Sequence, residues 1–428
     1  MRFLSKLGFA TALATATIAI GATPAIAAKD KKEQKAIEAK PKMSKGFMAA
    51  YAPLTKLLGK DDAAAKAALP GLEAAIASDD DKYVYGKFVV TLGSKLNDPE
   101  LQFAGLKAAA STQIIPAQEK ALFSYFIGKM SFGKKDYDGT IQALNTAKTL
   151  GHKADDMDLI MALSNFQTNR NPAAFESLRN AVAAKAALGQ KADESWFGRG
   201  LKVALDTKDA KEISYWSGQL LRNYPTASNW RAALSFYRDG VNLSSGENLD
   251  LMRLMRKADA MASERDYGEY VDAASPLRMP GEVISVIREA QAKGRVTAKS
   301  TYLNEQLQVA QSRENADRAS LPESERASRS SANGKIALGT ADAFLSYGNN
   351  AKAIDLYSLA LQKGGIEPDV AYTRRAIAKV DSGDLAGAKA DLALVTGANR
   401  RAIADYWLLY LELSAAPAPV VTAPTAAN

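Results

Sequence analysis

The 428-residue chain has no cysteine and a single histidine. The first absence removes disulfides, thiolate nucleophiles, cysteine-ligated zinc and lipid attachment through an N-terminal cysteine. The second excludes histidine-dependent triads and histidine-rich metal sites, because His152 has no second imidazole to work with, and Gly151-His152-Lys153 reads as a turn between helices. A phosphate-binding glycine loop and a Gly-x-Ser-x-Gly elbow are both missing. Beyond residue 27 no apolar run reaches the roughly 20 residues a membrane span requires. No cofactor, no metal and no integral membrane segment in the mature chain are therefore expected.

The first 27 residues have the build of a secretory signal. Arg2 and Lys6 supply the positive start, Leu7 to Ile20 is uncharged, and Ala25-Ile26-Ala27 is a small-x-small cleavage site. Cleavage after Ala27 would leave a periplasmic or secreted protein, held by packing alone. The net charge of +8 suggests nucleic acid only until it is located. Two positive charges leave with the signal, and four more belong to residues 28–45, where seven lysines face three acids; only +2 remains for the rest. Residues 28–45 read as a basic disordered leader, with weak contact to anionic envelope polymers as the other reading, and nucleic acid is not an expected partner. The acidic clusters Asp79-Asp80-Asp81 and Asp155-Asp156 precede helical runs and lack the alternating spacing of a calcium loop, so they read as helix caps.

What is present in abundance is helical periodicity. GNNAKAIDLYSLAL from Gly348 and GDLAGAKADLALV from Gly383 are two copies of one pattern, 35 residues apart. In each a glycine ends one helix, a small residue follows (Ala353, Ala388), and a larger apolar residue comes four later (Tyr357, Leu392). Gly383 is expected at φ > 0, whereas Gly387 lies on the next helix where a side chain is allowed. Such hairpins cannot bury their own apolar faces and must stack, which predicts an all-α fold, an α-solenoid of antiparallel helix hairpins. GKKDYDGTIQALNTA from Gly133 repeats the pattern, and the runs from Tyr83 to Leu92 and Leu101 to Ala110 are weaker copies.

Together these stretches resemble the tetratricopeptide repeat (TPR) family, whose hairpins of about 34 residues stack into a right-handed superhelix. Gly128 and Gly200 match that family's small helix-contact position, and Trp196 and Trp230 stand 34 apart. The resulting division is signal 1–27, leader 28–45, N-terminal repeats 46–294, irregular helical connector 295–335, C-terminal repeats with a capping helix 336–414, and a disordered Pro/Ala tail 415–428. Within the connector, Ser320-Leu321-Pro322-Glu323 looks like a helix start.

The resemblance implies a ligand groove lined by the first helix of each hairpin. On that face it places Tyr125, Phe126 and Lys129, then Phe197, then Arg231 and Arg238 two helical turns apart, and Arg374. The function it implies is an exported, non-enzymatic scaffold for a protein or peptide partner in the cell envelope. The alternative is envelope glycan processing or binding on the same superhelix. Enzymes of that kind add a compact lysozyme-like domain bearing a catalytic glutamate, and the repeats, connector, capping helix and Pro/Ala tail are expected to leave no segment for one.

Overall fold

Every apolar period traced above lies near 3.6 residues, and the structure, a computed structural model describing residues 41–297 and 299–415, is built accordingly. Among the described residues there are 21 helices and no strand. The expected signal, the leader up to residue 40 and the tail beyond 415 lie outside the described residues. The chain divides into two compact units, residues 1–192 and 193–428.

The first unit holds α1 (Lys45–Leu57), α2 (Asp62–Ala67), α3 (Leu69–Ala74), α4 (Asp79–Lys95), α5 (Pro99–Ala110), α6 (Ala117–Gly133), α7 (Tyr137–Thr149), α8 (Met157–Gln167) and α9 (Asn171–Ala187). The second holds α10 (Glu194–Asp206), α11 (Ala210–Asn223), α12 (Ala227–Gly240), α13 (Ser245–Lys257), α14 (Glu264–Ala274), α15 (Pro280–Ala292), α16 (Thr301–Ser330), α17 (Lys335–Ser346), α18 (Asn350–Lys363), α19 (Pro368–Ser382), α20 (Leu385–Ala393) and α21 (Ala398–Ala415).

One turn recurs in six hairpins. A residue at positive φ ends the first helix, and the residue after it caps the second. The positive-φ position is Asn97, Lys135, Asn169, Lys208, Gly348 and Gly383 in turn. The following residue is an N-cap, and in five cases its side chain accepts backbone N–H bonds: Asp98, Asp136, Asp209, Asn349 and Asp384. Such a cap satisfies a donor that would otherwise have no partner within the helix. Gly383 has φ 85°, as expected. Gly387 differs from expectation, because a Cβ there would run into the carboxylate of Asp384, which caps its own helix.

Small residues set the spacing within hairpins. A Cβ at Gly128 would lie 2.6 Å from the Leu144 side chain, and one at Gly200 would enter the Trp216 ring. A further close approach falls where the sequence pattern is weak: a Cβ at Gly86 would sit 2.5 Å from the Ala109 nitrogen and 2.7 Å from the Gly105 oxygen, backbone against backbone.

Three expectations are corrected. Residues 301–330, expected as an irregular connector, form a single helix that runs through Ser320 and Pro322. Its inward stripe, Leu303, Ala310, Leu321 and Ser328, with Glu314 and Asp317 between, lies on one face, packing on α15 at one end and on α17 and α18 at the other. This segment therefore joins its neighbours, and the compact units divide at 192/193 instead. The end of the leader is tied down as well: the Lys42 N–H donates to Asp80 at 2.7 Å and the Ser44 N–H to Asp81 at 2.8 Å. The acidic cluster thus receives N–H groups from a distant segment, including Gln113 on Asp79. Finally, α21 covers the last hairpin but also returns to α11 and α13. Tyr406 hydrogen-bonds Ser217 at 3.0 Å, and the Trp407 indole N–H donates to the Asp250 carbonyl at 3.2 Å. Ile403, Tyr406, Trp407 and Leu411 share one core with Leu221, Trp230 and Met252.

Candidate functional site

In the first unit two helices carry the same short motif, Tyr83-Val-Tyr-Gly-Lys87 on α4 and Tyr125-Phe-Ile-Gly-Lys129 on α6. Helical spacing puts the tyrosine and lysine one turn apart on a common face, while Gly86 and Gly128 turn toward the second helix. In each motif the next first helix supplies a carboxylate at its start. Tyr125 Oη donates to Asp156 at 2.6 Å, and Lys129 Nζ reaches the same carboxylate at 2.7 Å. Tyr83 likewise donates to Glu119, with Lys87 3.0 Å away. The ammonium groups lie 5.2 and 5.3 Å from the centroids of their tyrosine rings, within cation–π range. His152 lies against Tyr125 with centroids 4.6 Å apart and ring planes tilted by 36°, and the Phe126 ring lies 5.4 Å from that of Tyr125. Leu122, 40% exposed one turn before Phe126, extends the strip.

The electrostatics of these two rungs keep the lysines charged and the tyrosines protonated. Burial alone would lower the Lys129 ammonium, but Asp156 and Tyr125 hold it above its ordinary value; Glu119 and Tyr83 do the same for Lys87. Burial, helped by the adjacent carboxylates, raises both tyrosines. A nucleophilic or general-base lysine needs the opposite shift. Asp156 stands at the N-cap of α8 without capping it, since its carboxylate is turned to Tyr125 and Lys129.

The other expected groove residues meet different fates. Phe197 is 0% exposed, packed beside Tyr224 in the core, and lines no groove. Arg231 and Arg238 do project to one side of α12, but onto carboxylates of α14: Arg231 meets Asp266 at 3.2 Å and Arg238 meets Glu269 at 2.5 Å. Arg374 is 8% exposed and belongs to a buried ionic node. At its centre Asp250 accepts from Arg253 at 3.0 Å, Arg374 at 3.2 Å and Arg400 at 2.7 Å. Arg253 also holds Glu282 through two parallel bonds of 2.8 and 2.7 Å, and Arg374 holds Asp342. Burial pushes Asp250 up, and the three arginines overcome it, leaving the carboxyl below its ordinary value. The node ties α13, α15, α17, α19 and α21 together, so these arginines are structural.

The repeated Tyr-x-x-Gly-Lys motif is legible in the sequence at a separation of 42 residues and would have added Tyr83 and Lys87 to Tyr125 and Lys129. Glu119 and Asp156 carry no such signal. The described residues contain no group of three or more histidine, cysteine or acidic side chains arranged to hold a metal ion.

No family model and no curated protein matches the chain. Among solved structures it is similar to the TPR domain of P58(IPK), at 13% identity over 87% of this chain and 99% of that one, with a TM-score of 0.21. It is also similar to the TPR2AB domain of yeast Sti1 in a complex with pHSP90, at 16% identity over 69% of this chain and 95% of that one, with a TM-score of 0.17.

Proposed function

We propose that the protein is an exported, non-enzymatic TPR-like scaffold that binds a protein or peptide partner through the first helices of its N-terminal unit. The pair of Tyr-Lys-carboxylate rungs carries this reading. Each rung has its charges paired internally, its tyrosine held protonated and its lysine held charged, so it offers flat aromatic and aliphatic surface with fixed polarity. Leu122 and Phe126 add the apolar strip on which a partner side chain would seat. Export rests on the basic, uncharged and small-x-small order of residues 1–27.

A photo-crosslinking residue at Leu122 or Phe126, in intact cells, should give one discrete protein adduct. The same residue at Asn145, exposed on α7, should not. Equal labelling from all three positions, or glycan in place of protein at the first two, would move recognition elsewhere. Mass spectrometry of the mature chain should find Ala28 at its N-terminus; an intact Met1 would end the export reading.

A further inference from the structure

Five alternate helices of the second unit form a closed circuit. α15 meets α17, α17 meets α19, α19 meets α21, and α21 returns to α13, which is joined to α15 by the Arg253–Glu282 and Arg256–Glu289 pairs. The circuit surrounds a cavity of ≈520 Å³, within the roughly 300–1,000 Å³ usual for small-ligand sites. An open solenoid can lay an extended chain along its inner face. Here α21 joins the circuit and places Trp407 in the wall, so the space is bounded along its length and suits a small solute.

The walls carry both signs of charge in equal number. Arg256 reaches Glu289 at 2.6 Å and Ser285 at 2.8 Å, and Lys257 reaches Asp381 at 2.6 Å. The side chains of these four charged residues are between 24% and 39% exposed, so neither member of a pair is sealed off by the other. Burial pushes the Glu289 carboxyl up, but Lys293 and Arg256 bring it below its ordinary value and it stays ionised. Asn350, at the start of α18, contributes a buried side-chain oxygen with no hydrogen-bond partner among the described residues. An unsatisfied buried acceptor beside a cavity is an invitation to a ligand donor.

We propose that this cavity binds a small zwitterion of the amino-acid or dipeptide class. Its carboxylate is taken up by Arg256 and Lys257, its ammonium by Glu289 and Asp381, and an N–H by Asn350. A net anion would face two carboxylates and a net cation two basic groups, whereas a dipolar solute of no net charge satisfies both. This site is independent of the Tyr-Lys rungs in the first unit, and either can fail without the other.

The test is calorimetric titration of the full chain with dialanine, with N-acetyl-dialanine amide, which has neither charged end, and with trehalose. Dialanine should bind saturably and change the fluorescence of Trp407, which lines the cavity. The other two should bind at least about tenfold more weakly. Arg256→Gln and Asp381→Asn should each weaken dialanine at least about tenfold, and Lys208→Gln on the exterior should leave it unchanged. If an ion-pair variant loses the wild-type circular dichroism, Asn350→Ala, which removes no charge, carries the same expectation. No saturable heat up to the order of 10 mM dialanine, equal binding of the capped peptide or trehalose, or undiminished binding by folded variants would each overturn the proposal.

Discussion

Replacing Asp250 by Asn removes the charge at the centre of the buried node while preserving its shape. Of the three arginines it serves, two have a second carboxylate: Arg253 retains Glu282 and Arg374 retains Asp342. Arg400, 8% exposed, has no other carboxylate among the described residues. The substitution therefore strands one guanidinium, not three. Breaking a buried pair by deleting one partner costs about 3–5 kcal/mol; the Asn carbonyl can still accept one bond, so the lower end, about 3 kcal/mol, is expected. The assay follows from the position of the tryptophans. Trp196, Trp216, Trp230 and Trp407 all lie in the second unit, so their fluorescence in urea reports that unit alone, whereas far-ultraviolet circular dichroism reports both. Asp250→Asn with Arg400→Met should recover at least half of the loss, because the stranded charge has gone. The pH dependence has a definite sign: a carboxyl depressed in the folded state stabilises fully above its unfolded value near 3.8 and loses that contribution as pH falls through the folded value. Acidification below about pH 4 should thus weaken the wild-type second unit more than the Asp250→Asn variant. A loss below about 1 kcal/mol, or a double variant as unstable as the sum of the singles, would refute the reasoning.

Gly86→Val should destabilise the first unit by about 1–3 kcal/mol, since the new Cβ meets backbone that cannot step aside. The loss should show by circular dichroism and leave tryptophan fluorescence unchanged; an unaltered dichroism melt would mean that α4 and α5 are not so close. Lys208→Gly should raise the second unit's stability by up to about 1 kcal/mol, the left-handed penalty of about 1–2 less the entropy cost of glycine. A fall in the fluorescence midpoint would contradict it. Gly383→Val should cost about 1–2 kcal/mol from its positive φ, and Gly387→Val about 1 kcal/mol through displacement of the Asp384 cap; a silent Gly387→Val would show that the cap adapts freely.

The hairpin turns illustrate which parts of the fold could be read in advance. All six share the positive-φ residue and the following cap position, but only the last two use glycine at the first of these, and those were the two that stood out. Asn97, Lys135, Asn169 and Lys208 adopt the same conformation without advertising it. The long helix α16 was obscured for a related reason: its buried stripe is made of Leu, Ala and Ser with Glu and Asp between, so hydropathy does not trace it. The groove residues divide in the same manner. Tyr125 and Lys129 come together because four residues make one turn of any helix. Phe197 and Arg374 were placed outward by analogy of position, and packing turned them inward.

Local sequence thus determined the helices, their caps and the small-residue contacts inside each hairpin, because these depend on residues within one or two turns or across a single short loop. It also determined the absence of thiol and paired-imidazole chemistry, which is a matter of composition. The closure of the second unit was decided by tertiary structure alone. Asp250 meets Arg374 and Arg400 across 124 and 150 residues, and Ser217 meets Tyr406 across 189. Small rotations accumulated over successive helices bring α21 back to α13, and no local pattern encodes their sum.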